Sequence, residues 1–318
     1  KDLEATAGLR TTLGSLLYAD HVTTTDQGAV RNVREAGGII LGKTNTPEFG
    51  AGANTRNLLF GATGNPFNPA KTCGGSSGGS AVALAAGMVS LASGSDYGGS
   101  LRTPAGFCGV VGIRPSPGIV AAETRPVGLL PFSVLGPMGR TVEDANLLLQ
   151  AQMGPNPHDP FSTMFLDELT QPLEPADLGC IRAMLSADLG IAAMSNDYRK
   201  IFSERTKIFQ HHFAHAFTGN PDFTHGDNAF EVLRGVNFVA AHGGRVRNHR
   251  DELSPNVVDN VDRGLSYSLS DVAEAHLQQT QIARRWLDLF KEIDVVICPA
   301  TSTTPFNHEH WTITEIDG

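Results

Sequence analysis

The chain has 318 residues, of which 41% are hydrophobic and 18% charged, with a formal net charge of −9. That length and apolar content exclude a disordered polypeptide and supply core for one large domain or two ordinary ones. The acidic balance, with no Lys/Arg run, argues against nucleic acid or an anionic membrane surface as partner. The longest small-apolar stretch, residues 80–94, is interrupted by Ser80, Gly87, Ser90 and Ser93 and is too short and polar to span a bilayer.

No signal peptide precedes the first motif. Cys73, Cys108, Cys180 and Cys298 are scattered without metal-ligand spacing and read as reduced thiols of a cytoplasmic protein, with no metal or cofactor expected. The sequence opens at Lys1-Asp2-Leu3 without an initiator Met and closes at Glu315-Ile316-Asp317-Gly318, so it reads as a piece of a longer polypeptide.

In chain order, Asp26 to Ala36 has helical spacing, Gly37-Gly38 stops it, and Ile39-Ile40-Leu41 reads as a short buried strand. Residues 77–88 read as helix, and 110–113 as a strand ending at Arg114-Pro115. Thr141 to Gln152 opens with a capping-box-like Thr-x-x-Asp and reads as helix. This alternation implies an α/β layered sheet. Gly154 to Leu178, with five prolines, reads as a surface connection and not as a domain boundary. Across 155–292 the helical patterns lengthen, at Asn196–Phe217, Phe230–Ala241 and Asp271–Glu292, before Asp294–Cys298 gives one more buried strand.

Three motif expressions compete. Gly37 to Thr44, GGIILGKT, satisfies the phosphate-loop pattern, but its Ile-Ile-Leu interior wants burial where a phosphate cradle needs exposed N–H groups. Lys43 is therefore better read as structural. Gly74 to Gly78, GGSSG, satisfies the nucleophile-elbow pattern GxSxG, but the apolar strand that must precede it is replaced by Asn65-Pro66-Phe67-Asn68-Pro69. The third reading uses more of the chain: TCGGSSGGS (72–80) and GSDYGGS (94–100) are two glycine-rich loops flanking one Ala-rich helix. Glycine loses the most conformational entropy on ordering, so two such clusters beside apolar sequence need a reason. With side chains removed, the N–H groups of Tyr97, Gly98, Gly99 and Ser100 can converge on one point, as an oxyanion hole requires.

GGSSGGSAVALAAGMVSLASGSDYGGSLRTPAGFCGVVGIRPSPG resembles the signature of the amidase signature family, with Arg114 and Ser116 in place of the commoner Lys and Thr. GIILGKTNTPEFG, ATGNPFNP, LGPMGRTVEDANLLL and DVVICPAT resemble further blocks of that family, covering the first 150 residues well and the later helical region loosely. The resemblance implies a three-layer α/β/α fold with a central mixed sheet, as a single domain over 1–318 that lacks the family's terminal segments, with 155–292 a variable helical region that shapes the substrate site.

It also implies a catalytic set of Lys1 as base, Ser76 as relay and Ser100 as nucleophile, with Gly75–Ser76 a cis peptide bond. Ser77, Asp96 and Arg102 map to supporting positions. A lone Lys is ordinarily a solvated charge and a lone Ser a turn residue; only their placement, 75 and then 24 residues apart, gives them these roles. A lysine titrating near 10.4 must be desolvated to act as a base at neutral pH, and one at a frayed terminus would not be, so the expectation is either a preceding segment or an inactive chain.

The implied activity is hydrolysis of an amide C–N bond in a small molecule, by a monomer or homodimer without cofactor or metal. Phe132 in the loop Ala122–Ser133, with Phe161, Phe165, Phe230 and Phe238, suggests an apolar or aryl group. The enzymatic alternatives are a carbamate, urethane or ester hydrolase and a transamidation subunit of the glutamyl-tRNA amidotransferase A type; an inert binding relative is the alternative of another class. His211, His212 and His215 are left without a role.

Overall fold

The computed structural model describes residues 1–162 and 167–318. They form two compact units: one of Lys1–Pro172, Ala240–Asp259 and Pro305–Ile313, the other of Leu173–Val239, Asn260–Thr304 and Thr314–Gly318. The division at 172/173 falls inside the proline-rich connection. Both helices and strands are present, as the α/β class requires. Among the described residues no helix is long and apolar enough to cross a membrane.

In the first unit, α1 (Gly28–Glu35) precedes a two-stranded ribbon, β1 (Arg56–Asn57) and β2 (Gly61–Ala62). Then come α2 (Gly78–Ala85), β3 (Leu91–Asp96), α3 (Arg102–Cys108), β4 (Val111–Gly112), β5 (Val134–Gly139) and α4 (Val142–Gln152). The sheet is antiparallel in the order β3-β5-β4, with Leu91 opposite Gly139 and Asp96 opposite Val134. β5 is buried at every residue, and Met138 joins Cys73, Ala81, Leu84, Ala92, Leu101, Ala105 and Cys108 in the core beneath the two glycine loops. Small residues on α2 let it sit against backbone: a Cβ on Gly79 would collide with Asn45. The Thr141 hydroxyl caps α4 by accepting the Asp144 N–H at 3.1 Å.

The second unit holds a parallel sheet in the order β7-β6-β8, built from β6 (Arg182–Leu185), β7 (His215–Thr218) and β8 (Val295–Ile297). α5 (Asn196–Phe209) starts at Ser195, whose hydroxyl accepts the Tyr198 N–H. Three further helices follow β7 in the chain: α6 (Gly226–His249), α7 (Pro255–Ser266) and α8 (Leu269–Leu289), the last with a Ser268–Asp271 capping box.

Three readings of the sequence change. The helix expected over Asn196–Phe217 ends at Phe209, and its last residues are strand β7, because pairing with β6 outweighs a pattern that fits either period. Ile39-Ile40-Leu41 forms no strand: Ile39 is 84% and Leu41 74% exposed, and no strand registers against them among the described residues. An apolar run marks a strand only where a partner stands beside it. Residues 94–96, read as the start of a loop, are the last rungs of β3, so the second glycine loop begins at Tyr97.

The loop between β4 and β5 is anchored from within by Asp159. Its carboxylate accepts the Ala122 N–H at 2.8 Å and the Arg125 guanidinium at 2.6 Å, with both side chains of the ion pair at most 4% exposed. Breaking a buried pair leaves the surviving charge uncompensated. Asp159→Ala is therefore expected to lower stability by about 3–5 kcal/mol in urea unfolding, while Arg182→Ala, half of a surface pair 40% and 41% exposed, leaves the unfolding midpoint close to that of wild type.

Candidate active site

The position of Lys1 is set by hydrogen bonds to the turn that carries it. Its backbone nitrogen donates to the Ser93 hydroxyl at 3.2 Å, and the next N–H, of Asp2, donates to the Thr44 carbonyl at 3.0 Å. The Asp2 carboxylate takes the Thr12 N–H and hydroxyl. The Lys43 ammonium donates to the Glu4 carbonyl and, at 3.1 Å each, to the Thr6 and Thr11 hydroxyls, and lies 3.8 Å from Asp2. Lys43 thus fastens residues 2–12 in place, the structural role expected in preference to phosphate binding.

With that frame fixed, the buried Lys1 side chain meets three hydroxyls. Nζ lies 2.6 Å from Ser76 Oγ, 2.8 Å from Ser95 Oγ and 3.0 Å from Ser77 Oγ. Burial pushes the Lys1 ammonium down from 10.5 to about 7, outweighing the opposing pull of the Glu4 and Asp96 carboxylates.

The first glycine loop brings Ser76 to that amine through a cis Gly75–Ser76 bond. Thr55 holds the loop from both sides: its hydroxyl donates to the Gly74 carbonyl at 2.8 Å and accepts the Gly78 N–H at 3.1 Å. Gly74 sits at φ +78°, and a Cβ on Gly75 would stand 2.7 Å from the Gly52 carbonyl, so neither position accommodates a side chain. Ser77 opens α2 and joins the two loops, its N–H donating to the Ser100 carbonyl at 3.1 Å. Its hydroxyl donates to the Ser95 carbonyl at 3.2 Å.

The second loop is organised by Asp96, which is fully buried. One carboxylate oxygen accepts the Gly99 N–H at 2.8 Å and the other the Leu101 N–H at 3.1 Å, and Arg102 closes a bidentate pair at 3.0 and 3.1 Å. Burial alone would raise its pKa, but the hydrogen bond and charge of Arg102, the Gly99 N–H and the charge of Arg114 together bring it down to about 2. The Gly99 N–H, expected among the oxyanion donors, is committed to Asp96. Tyr97, Gly98 and Ser100 are the other positions of that expected set, at the end of β3 and the entry to α3.

Two residues of the site carry no role in the sequence alone. Ser95 is there only one letter of GSDYGGS; its signal is the alternation of β3, which puts buried Gly94 and Asp96 on one face and Ser93 and Ser95 on the other. Arg114 is there only a substitute for Lys. In the structure it donates to the Asp96 carbonyl at 2.5 Å, to the Asp96 carboxylate at 3.0 Å and to the Phe132 carbonyl at 2.8 Å.

Of the aromatic residues singled out, Phe132 packs against Tyr97 with centroids 5.4 Å apart, and Phe161 stacks under Arg125 at 5.0 Å. Phe165 lies outside the described residues. Phe230 and Phe238 belong to the second unit, where Phe238 is buried under Arg234 at 5.0 Å. His211, His212 and His215 are also in that unit and exposed.

Residues 1–317 match the profile of the Amidase family. An acylamidase of Rhodococcus erythropolis is 30% identical over 311 residues, covering 96% of this chain and 65% of that protein. The glutamyl-tRNA(Gln) amidotransferase of Thermus thermophilus contributes a second relative, its A-type chain, 43% identical over 213 residues, covering 64% of this chain and 44% of that protein. The structure of a bacterial aryl acylamidase of the amidase signature enzymes shares the fold, with a TM-score of 0.86 at 24% identity, over 99% of this chain and 68% of that one. The chain therefore spans 44% of one curated relative and 65% of the other. Since the family match runs through every residue of the site described above, this chain belongs to the Amidase (amidase signature) family.

Proposed function

We propose that this chain hydrolyses the C–N bond of a small-molecule amide through an acyl-enzyme on Ser100, with Lys1 as the base and Ser76 as the proton relay. The observation that carries the reading is the set of partners around Lys1 Nζ. A neutral amine has two N–H donors and one lone pair. The Ser77 proton goes to the Ser95 carbonyl, so Ser77 accepts one amine proton; Ser95 Oγ at 2.8 Å accepts the second. The lone pair is left for the Ser76 hydroxyl at 2.6 Å, which then receives from Ser100 the proton it passes on.

Ser100 Oγ attacks the substrate carbonyl as its proton moves to Ser76 and that of Ser76 moves to Nζ. The N–H groups of Tyr97, Gly98 and Ser100 meet the oxyanion, with Gly99 fixing the turn through Asp96. Collapse breaks the C–N bond, and the relay returns a proton to the departing amine. Water then cleaves the acyl ester by the same path. The Tyr97–Phe132 ring pair supports an apolar or aryl group on the substrate, and the similarity to an acylamidase supports an amide as the bond cleaved. Transamidation in the manner of an amidotransferase is the second reading, favoured by the 43% identity over 213 residues; it requires an ammonia acceptor, and ammonia released into solution from simple amides counts against it.

A fluorophosphonate probe is expected to label the wild-type chain on Ser100 and to leave Ser100→Ala unlabelled, read by peptide mass spectrometry; labelling elsewhere overturns the assignment. Ser76→Ala is expected to slow acylation about 10²–10⁴-fold, and Ser95→Ala about 10-fold, because one amine proton loses its acceptor. Since only neutral Lys1 takes a proton, the acylation rate should rise with pH to a plateau with its midpoint near 7. A rate independent of pH from 5 to 9 contradicts a lysine base.

A further inference from the structure

We propose that Arg114 is a positioning residue that locks the oxyanion turn to the loop carrying Phe132, so that the donors for the transition state and the aromatic wall for the substrate are held as one body. The inference rests on the hydrolase reading above and adds a residue to it.

Arg114 follows β4 at the mouth of a long excursion, residues 115–133, which has no regular strand or helix before β5. The middle of that excursion is tied down by Asp159, through Ala122 and Arg125. Its end is tied by Arg114, whose Nη2 donates to the Phe132 carbonyl at 2.8 Å, two residues before β5. The other terminal nitrogen, Nη1, donates to the Asp96 carbonyl at 2.5 Å, the peptide unit directly before Tyr97, and to Asp96 Oδ1 at 3.0 Å. That same Oδ1 accepts the Gly99 N–H. One planar guanidinium therefore touches the backbone on both sides of the Tyr97–Phe132 ring contact.

The side-chain type matters. Two nitrogens of a rigid fork address two different segments, whereas a lysine offers one nitrogen on a flexible stem for both. Stability depends less on this link. Asp96 keeps the bidentate Arg102 and two backbone N–H groups when Arg114 is removed, so the buried carboxylate stays paired. Loss of Arg114 should thus loosen the relation between the two loops without unfolding either, and an oxyanion donor displaced by a fraction of an ångström is costly in rate.

The test uses the full chain and two fluorophosphonates, one bearing a methyl and one a phenylalkyl group, with phosphonylation rates at Ser100 and melting temperatures measured for Arg114→Lys, Arg114→Met, Phe132→Ala and the Arg114→Met/Phe132→Ala double variant. Arg114→Met is expected to slow both probes about 10- to 100-fold, with Arg114→Lys partly restoring the rate and the melting temperature within about 3 °C of wild type. Phe132→Ala should slow the aryl probe selectively, and the double variant should lose less than the product of the single losses. Wild-type rates in Arg114→Met, or losses that multiply independently, overturn the role of Arg114 while leaving the nucleophile intact. Absence of labelling in the wild type instead overturns the hydrolase reading itself.

Discussion

The two glycine loops are organised about one buried amine. Lys1 is removed from water, and the hydroxyls of Ser76, Ser77 and Ser95 replace its hydration shell with neutral partners. Neutral dipoles solvate an ammonium less well than water does, so its pKa falls to about 7 even with Glu4 and Asp96 near enough to pull the other way. Holding lysine there opposes folding by roughly 4 kcal/mol at pH 7, and that opposition fades as the pH rises toward the unfolded value. The surrounding frame explains how the fold sustains it. Lys43 gathers three acceptors from residues 4–11, Asp2 caps Thr12, and Ser93 holds the backbone of Lys1, so the amine cannot leave without breaking several buried hydrogen bonds.

The second constraint is Asp96, a buried carboxylate where strand β3 gives way to the second glycine loop. It converts the end of a regular strand into a turn of defined shape by taking two backbone N–H groups, and two arginines keep it charged. The two titratable residues differ in their partners: Lys1 Nζ is buried among hydroxyls, which weakens its charged form, and Asp96 is buried against two arginines, which hold it charged. Both pKa values fall, but the fall favours the neutral form of Lys1 and the charged form of Asp96.

The meeting of Lys1 with Ser76 and Ser77 was legible through the resemblance of the glycine-rich loops to the family signature, since nothing in the spacing alone singles out these residues. Gly75 and Gly79 sit where a Cβ would strike backbone, and Gly74 adopts a positive φ, which is why their pattern is readable in one dimension. What was missed depends on neighbours that sequence does not name. β5 contains Gly136 and Pro137 and looks like a turn, yet it is the central strand of its sheet, with the Pro137 carbonyl accepting the Ile113 N–H. Ile39 and Leu41 look buried and are exposed. The start of α7 at Ser254-Pro255, with proline in its first turn, carried a helix-start signal that went unused. Ser95 and Arg114 are ordinary residues in isolation, and only the strand alternation of β3 and the return of the chain at Phe132 give them partners.

The charge state of Lys1 is the claim on which the rest turns, and it can be observed directly. Chemical-shift titration of the chain labelled with ¹⁵N at lysine side chains, with the Lys1 signal assigned by its loss in Lys1→Arg, should show that signal titrating near pH 7, far below the ordinary lysine value of about 10.4. A Lys1 resonance that stays protonated up to pH 10 contradicts the account.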